Sequence, residues 1–511
     1  MIKASTFKGQ KLAIFGLGRS GLSTALSLKA GGATVCAWDD NEKSREAADA
    51  LGIPLCDLTQ SDWSEYAALV LSPGVPHKLP SPHWSAQKAI SANVDIICDI
   101  EIFAREVKAL PEADKPKIIA ITGTNGKSTT TALIGHILKE SGRDAQIGGN
   151  IGRGVLDLDA MHSGAYYVLE LSSYQLERTS SLQANVAVFL NLSPDHLDRH
   201  GGLKEYGTVK ERIFLNQQKK DTVIVGVDNA EGKQLCTKLM AKNGRSIIPI
   251  SGRKSIGRGV YAIKGNLYSA IGDKTETVAN LAHARALEGE HNAQNAAAAL
   301  AAISALGLET REISKAILNF PGLEHRMETV GKVGPARFVN DSKATNADAA
   351  RQALKSYKNI YWIAGGQAKE GGIAPLADLF PNVKKAYLIG DAADDFQQTL
   401  TAHSVDNVVS KSLNKAIIAA IGDALKFRNE KSIILLSPAC ASFDQFKSYE
   451  QRGDVYRQLC LKVIEVVERK KTQAKDPSQH TANSKHAGSE VAKQATQTES
   501  VPSRKQAGSA S

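Results

Sequence analysis

The sequence predicts an α/β protein: three doubly wound domains followed by a disordered tail. Three observations carry that expectation. Apolar, β-branched runs recur along the chain and break into glycine or polar loops, with helical patterns between them. That alternation builds parallel sheets covered by helices. Two of the loops carry phosphate-type signatures, Gly16-Leu17-Gly18-Arg19-Ser20-Gly21 and Gly123-Thr124-Asn125-Gly126-Lys127-Ser128-Thr129. At 511 residues the chain exceeds a single core, and its boundaries read as 1–107, 108–322 and 323–469, with a tail over 470–511.

Composition narrows the class. Hydrophobic residues at 42% and charged residues at 23% are an ordinary globular balance. No apolar run reaches membrane-spanning length, and Met1–Lys8 enters a strand without a signal-like stretch, so neither membrane insertion nor export is expected. The six cysteines are scattered and never spaced as CxxC, which predicts a reducing, cytoplasmic setting without disulfides or structural zinc. The net charge of +10 suggests nucleic acid, but residues 469–511 hold eight Lys or Arg against three Asp or Glu. Half the excess therefore sits in the tail. The mildly basic body suits small polyanionic substrates as well as it suits nucleic acid; no nucleic-acid partner and a monomer are expected.

The first domain opens with the strand 11–15, the glycine turn and a helical pattern from Leu22. A second strand, 33–38, ends in Asp39-Asp40, where an acid commonly takes ribose hydroxyls. This context fits a nicotinamide dehydrogenase, another nucleotide site, or simply a helix packed closely on a strand. The strand 68–71 runs into Ser72-Pro73-Gly74-Val75-Pro76, a loop at the same carboxyl edge. Residues from roughly 100 to 115 read as a linker, on the polar, proline-broken stretch 109–116.

The second domain starts on the strand 118–122. Gly123 and Gly126 let backbone N–H groups approach phosphate, Lys127 can reach the β- and γ-phosphates of ATP, and the Ser128 hydroxyl can sit on Mg²⁺. The Walker pattern departs at Ile121, where it wants a glycine; the plainer alternative is an ordinary capped helix start. The strand 166–170 ends in Glu170, suited to hold a metal or to sit in a surface pair. After the strand 186–192 come Asp195, His196, Asp198, Arg199 and His200, a polar cluster of the kind that marks sites. His196 there is a metal ligand or a helix cap. Lys210 on its own reads as a solvated helix residue. His291, Asn292 and Asn295 cluster at the first turn of an alanine-rich helix, for base or ribose contacts or for capping.

The third domain carries Arg326, a candidate phosphate clamp, and strands over 338–341, 360–364, 386–390 and 432–437 that end in polar or glycine loops. Residues 470–511 contain no Leu, Ile, Phe, Tyr or Trp and cannot bury enough surface to order themselves. From these residues alone the reading stops at an ATP-dependent ligase or kinase.

The ordered strings Gly123–Thr129, Glu170-Leu171-Ser172-Ser173, His291-Asn292 with Asn295, His325-Arg326 and Asn340–Asn346 resemble the Mur ligase family, ATP-dependent amino-acid ligases of cell-wall precursor synthesis. Leu436–Lys447, Glu450–Gly453 and the glycine turn at Gly16 resemble its D-glutamate-adding branch. The resemblance spans about residues 8–468 and leaves out the tail.

It implies a Rossmann-like first domain, a P-loop ATPase-like centre and a Rossmann-like third domain. The implied substrates are ATP, UDP-N-acetylmuramoyl-L-alanine and D-glutamate. Gly18, Arg19, Ser20, Asp39, Ser72, Gly74, Asn150, Ser172, Gln175 and His196 would serve the UDP-sugar. Gly123 to Thr129, Asn292, Asn295, Arg326 and Asp341 would serve ATP. Ser128, Glu170, His196 and Lys210 would hold two Mg²⁺, with Lys210 as a carbamylated lysine. Lys127, His196 and Lys210 would be catalytic. Lys343, Thr345, Lys369, Ser442 and Tyr449 would surround D-glutamate, two cations facing a dicarboxylate. The chain departs from the branch at Ser448 and Tyr449, where Asn and Phe are expected. A sister ligase for another amino acid and an NAD(P) oxidoreductase are the alternatives.

Overall fold

The computed structural model describes residues 1–475 apart from Asn243, Glu288, 368–370 and 427–429, and without the side chains of Arg285, Glu290, His291, Asp348 and 470–475. Lys369 and residues 476–511 of the expected tail lie outside the described residues. The chain divides into two compact units, Met1–Gly322 and Leu323–Ser511.

The first unit holds two sheets. In one, β1 (Lys11–Phe15), β2 (Thr34–Trp38), β3 (Ala68–Leu71) and β4 (Asp95–Ile97) lie in the order β2-β1-β3-β4, all parallel. Phe15 pairs with both Trp38 and Leu71, so the loops at Gly16, Asp39 and Ser72 leave the sheet at one edge. A Cβ on Gly21 would lie 1.9 Å from the Gly16 carbonyl oxygen, so only glycine lets the helix Arg19–Ala30 start this close to the strand.

The other sheet has nine strands: β5 (Lys117–Thr122), β6 (Asp144–Gly149), β7 (Ala165–Glu170), β8 (Val186–Phe189), β9 (Thr222–Gly226), β10 (Ser246–Ser251), β11 (Gly259–Ile263), β12 (Asn266–Ala270) and β13 (Glu276–Asn280). Their order is β13-β12-β11-β10-β9-β8-β5-β7-β6. The pairs from β6 across to β11 are parallel, and β12 and β13 add an antiparallel edge. On β5, Ile118 and Ala120 enter one core and Ile119 and Ile121 another, as expected of a central parallel strand buried on both faces. Ile121 pairs with Glu170 and Thr122 with Phe189, which sets Glu170 beside the loop that follows β5. Ala296–Ala302 are buried and let the helix Glu290–Ala305 come close to the helix Lys127–Glu140.

In the second unit β14 (Glu328–Val333), β15 (Ala336–Asn340), β16 (Ile360–Gly365), β17 (Val383–Ile389), β18 (Asn407–Lys411) and β19 (Ser432–Leu436) lie in the order β14-β15-β19-β16-β17-β18. Only β14 pairs antiparallel. Leu436 pairs with both Asn340 and Ile363, bringing the loops after β15, β16 and β19 to one edge. The last helix, Tyr449–Lys475, runs past Arg469, where the tail was expected to begin.

Two expectations are corrected. The linker expected over roughly 100–115 is for its greater part the helix Asp99–Ala109, whose Ile100, Ile102 and Phe103 are buried in the core of the first unit. Cys36 and Cys56 form a disulfide across 20 residues. Ala37 and Leu55 are bridged in parallel, so the returning chain lies against β2 and brings the two Cα atoms to 5.3 Å. Scattered spacing in sequence carries no information about that return. Cys98, Cys236, Cys440 and Cys460 are buried and take no part in a disulfide. Among the described residues no helix is long and apolar enough to cross a membrane.

Candidate functional site

The phosphate-type loop after β5 is built as the string Gly123–Thr129 requires. Gly126 has φ +85° and caps the helix Lys127–Glu140, and a Cβ there would meet Asn295 Oδ1 at 2.3 Å. Ser128 is buried at the first turn, where the free backbone N–H groups and the helix dipole favour an anion. Lys127 Nζ donates to the carbonyls of Gly123 (2.9 Å) and Thr124 (2.7 Å).

Three neighbours hold the loop. Asn125 N donates to Asn191 Oδ1 (2.9 Å), and Asn191 Nδ2 returns a bond to Asn125 O (3.2 Å) and one to Gln294 Oε1 (3.0 Å). Thr124 Oγ1 both donates to Ser193 O and accepts from Ser193 N. Thr130 Oγ1 donates to Asn295 Oδ1, and Asn295 Nδ2 to Asn292 Oδ1. The bracket by Asn191 and Gln294 was not legible as such; only the polarity of the loop after β8 pointed to it.

Glu170 is 2% exposed at the end of β7. Its Oε1 accepts from Asn150 Nδ2 at 2.8 Å, while Oε2 is buried with no hydrogen-bond partner. A buried carboxylate oxygen left in that state is costly unless something cationic meets it. The Glu170 carboxylate and the Ser128 hydroxyl are both hard-oxygen donors, of the type that could hold Mg²⁺ together with substrate phosphates. Among the described residues no group of three His, Cys, Asp or Glu could hold a metal by itself.

Lys210, read from sequence as a solvated residue, is 1% exposed on the helix Leu203–Glu211. Its Nζ donates to Gly123 O (2.9 Å) and lies 4.5 Å from the Tyr206 ring centre. Burial, and then the charge of Lys127, pulls its pKa well below the ordinary lysine value. His196 has φ +52°; its side chain caps no helix, and Nε2 faces Asp195 at 3.4 Å. His200 is the buried histidine of that cluster: Nε2 meets Ser173 Oγ at 2.9 Å, and burial lowers its pKa.

At the edge of the first sheet, Asp39 accepts from Leu17 N (2.7 Å) with one oxygen and from Asn41 N (2.9 Å) with the other. It thus buttresses the glycine turn, and each oxygen keeps a further lone pair. Arg19 Nη1 donates to Gly152 O (2.7 Å), and Ser20 O accepts from Thr24 Oγ1. Gly74 O accepts from Arg199 Nη1 (3.1 Å). Ser72 packs so tightly on Gly16 that a Cβ on that glycine would stand 2.4 Å from Ser72 Cβ. Ser172 and Gln175 form a reciprocal capping box on the helix Ser173–Glu177, a local role that their polarity alone did not reveal. A cavity of about 560 Å³ opens at the opposite end of β5, beside Lys117 and Asp221; none of these site residues lines it, so hydrogen bonds and glycine geometry, not cavity size, locate the site.

In the second unit, Asp341 follows β15 with Oδ1 accepting from Met327 N (3.2 Å) and Oδ2 from Ser437 Oγ (2.8 Å). Burial pushes its carboxyl up to about 7. Arg326, between His325 at φ +59° and Met327 at φ +46°, is partly exposed. Lys343 Nζ lies 5.8 Å from the Tyr449 ring centre, Thr345 N donates to Lys343 O, and Ser442 is buried with its carbonyl accepting from Phe446 N. Arg452, 1% exposed, ties these loops together: its Nη2 donates to Ser342 O (2.9 Å) and Cys440 O (3.1 Å) and its Nε to Ser342 Oγ (3.0 Å). Sequence reading gave Arg452 no role of its own.

Residues 121–303 match the family description "Mur ligase middle domain", and residues 325–440 match "Mur ligase, glutamate ligase domain". A UDP-N-acetylmuramoylalanine–D-glutamate ligase of Caulobacter sp. (strain K31) is 58% identical over 457 residues, 89% of this chain and 97% of the relative. Proteins of the same description from Phenylobacterium zucineum and Rhizobium meliloti are 56% and 49% identical, covering 91% and 89% of this chain and 99% and 97% of those relatives. The crystal structure of a UDP-N-acetylmuramate–alanine ligase from Thermotoga maritima is similar in fold, with a TM-score of 0.53 at 18% identity over 88% of this chain and 99% of that one.

Proposed function

The chain belongs to the Mur ligase family, and from that premise we propose that it is an ATP-dependent ligase joining D-glutamate to UDP-N-acetylmuramoyl-L-alanine, with release of ADP and phosphate. The observation that supports this most is the near end-to-end similarity to ligases of that description. The reaction belongs to peptidoglycan precursor synthesis, and through it to cell shape and division. A nicotinamide oxidoreductase leaves the Gly123–Thr129 loop and the whole second unit without a task, and that alternative is set aside.

In the reaction we propose, the alanine carboxylate of the UDP-sugar attacks the γ-phosphorus of ATP, and ADP leaves. The acyl phosphate is attacked by the D-glutamate amine. The tetrahedral intermediate loses a proton and phosphate to give the amide. Lys127 and Arg326 stabilise charge on the transferring phosphoryl group. The loop N–H groups over Gly123–Thr129 cradle the phosphates, and Asn292, Asn295 and Asp341 serve the nucleotide. Ser128 and Glu170 would hold Mg²⁺, which would supply positive charge to offset that of the phosphates.

Lys210 fits carbamylation. Burial favours the neutral form of this amine, the form that attacks CO₂; with loss of a proton the resulting carbamate would sit as an anion beside Lys127. A second Mg²⁺ would draw on that carbamate and His196. His196 is also the candidate base for the glutamate amine. Gly18, Arg19, Ser20, Asp39, Ser72, Gly74, Asn150, Ser172 and Gln175 would serve the UDP-sugar. Lys343, Thr345, Lys369, Ser442 and Tyr449 would serve D-glutamate. The enzyme would work as a cytoplasmic monomer on small molecules, away from nucleic acid and membrane.

The test is phosphate release from ATP with UDP-N-acetylmuramoyl-L-alanine, comparing D-glutamate with L-glutamate, L-alanine and diaminopimelate. Release dependent on D-glutamate alone supports the reading. Release with another amino acid keeps the family and overturns the acceptor.

A further inference from the structure

Arg178 directly follows the short helix Ser173–Glu177 and is 5% exposed. Its guanidinium is aimed entirely at one loop. Nη1 donates to Leu71 O (3.0 Å) and Ser72 O (2.9 Å), Nη2 donates to Val75 O, and Nε donates to His77 Nδ1 (3.1 Å). With Nδ1 accepting, the proton of neutral His77 is on Nε2, which faces Glu177 Oε1 at 3.6 Å. Glu177, the neighbouring carboxylate, pairs with His77 and Lys78.

A guanidinium is an expensive way to fill this space. Burial lowers its pKa to about 10, and an apolar side chain would seal the same interior without desolvating a charge. What the guanidinium adds is geometry: a planar fork with five N–H donors fixes several carbonyls at once. Arg199 takes the one between, donating to Gly74 O at 3.1 Å. The carbonyls of Leu71, Ser72, Gly74 and Val75 therefore all end on arginines, and Pro73 contributes no N–H. The shape of this loop matters beyond itself, because Ser72 rests on Gly16, where there is no room for a Cβ. A shift of the loop is passed to the first glycine of the Gly16–Gly21 turn.

We infer that Arg178 is a positioning residue for the UDP-sugar: it holds the Ser72–Val75 loop in shape and, through Ser72 against Gly16, the turn that would receive the diphosphate. This rests on the proposed reading of Gly18, Ser72 and Gly74 as UDP-sugar residues. Arg178 touches no reacting atom in this account; it acts through backbone carbonyls.

The experiment compares the full-length wild type with Arg178→Lys, which keeps the charge and loses the fork, and Arg178→Ala, with and without added guanidinium chloride at low millimolar concentration. KM is measured for each of the three substrates, UDP alone is titrated by calorimetry, and circular dichroism follows the fold. The expected result is a KM for the UDP-sugar raised about tenfold or more in both variants. The KM values for ATP and D-glutamate stay within about twofold, and guanidinium restores UDP affinity to the alanine variant but not to the lysine variant. UDP affinity equal to wild type in both variants overturns the inference, as does a parallel rise in all three KM values, the mark of a merely structural residue. A wild-type protein that neither turns over nor binds UDP takes down the reading of the first sheet as well, and so separates the two failures.

Discussion

Lys127 and Lys210 donate to the same atom, the carbonyl oxygen of Gly123, each at 2.9 Å. Two lysine side-chain nitrogens converge on one acceptor at the mouth of the phosphate-type loop, and one of them is almost fully buried. Burial chiefly, and then the Lys127 charge, favours the neutral form of Lys210.

A first prediction concerns that buried amine. Lys210→Met should lower ligation by about 10²-fold or more while leaving the fold as stable or stabler by about 1 kcal/mol. The pH dependence has a definite sign. Folding releases the Lys210 proton, since the unfolded chain binds it up to about pH 10.5. Wild-type stability therefore rises with pH toward 10.5, and falls as pH drops toward the lowered folded value. The advantage of the methionine variant should shrink as pH approaches 10.5. Urea unfolding of both proteins across pH checks this, and mass analysis in bicarbonate checks for the added CO₂.

Glu170 offers a second. Glu170→Gln removes the charge from the buried, unpartnered Oε2. Affinity for ATP in the presence of magnesium should fall about 10²-fold, while affinity for ATP without magnesium changes little. Calorimetric titrations with and without the metal distinguish these, and a loss equal in both conditions would remove Glu170 from the metal site.

Gly126→Ala tests the loop itself. The position has φ +85°, and a Cβ would press on Asn295 Oδ1 at 2.3 Å and Leu190 Cδ1 at 3.3 Å. The substitution should cost about 2 kcal/mol of stability and abolish nucleotide binding, read by urea unfolding and by nucleotide titration. Asn295→Ala in the same background should recover part of the stability, because it removes the clashing atom but not the positive φ.

Asp341 carries a pH signature of the same origin, burial, and of opposite sign. Its folded pKa is raised to about 7 by burial, from an ordinary 3.8. The folded state thus holds a proton that the unfolded state has lost, and this group's contribution declines as pH rises from about 4 to about 7. Asp341→Asn should remove that decline, with little difference from wild type near pH 4 and a stability gain of about 4 kcal/mol at pH 8. Chemical unfolding at several pH values checks it, and nucleotide affinity of the variant should drop.

Much of the architecture was legible because its signals are local. The apolar run before Gly123 reads as a buried strand wherever it sits, and the residue order Gly-Thr-Asn-Gly-Lys-Ser forces a tight loop into a helix start. The same holds for the Gly16 turn, where Gly21 leaves room for a carbonyl 1.9 Å from the position of a Cβ. Glu170 was legible as a strand-end acid beside the loop. The roles of Ser172 and Gln175 in a capping box, and of Asp39 as a buttress of Leu17 N, were not, since a polar side chain looks the same whether it meets a ligand or its own backbone.

Strand–loop–helix units and their order follow from the amino-acid order alone, because strand burial, positive φ and helix starts depend on neighbours along the chain. Which polar groups lose their water is settled by tertiary packing. Lys210 becomes a buried amine by meeting Gly123 across 87 residues, Arg178 and Arg452 become clamps by reaching carbonyls 107 and 110 residues away, and Cys36 finds Cys56 through a returning loop. A side chain's charge state and reach are set by what packs around it, and those partners come from distant stretches whose approach no local pattern encodes.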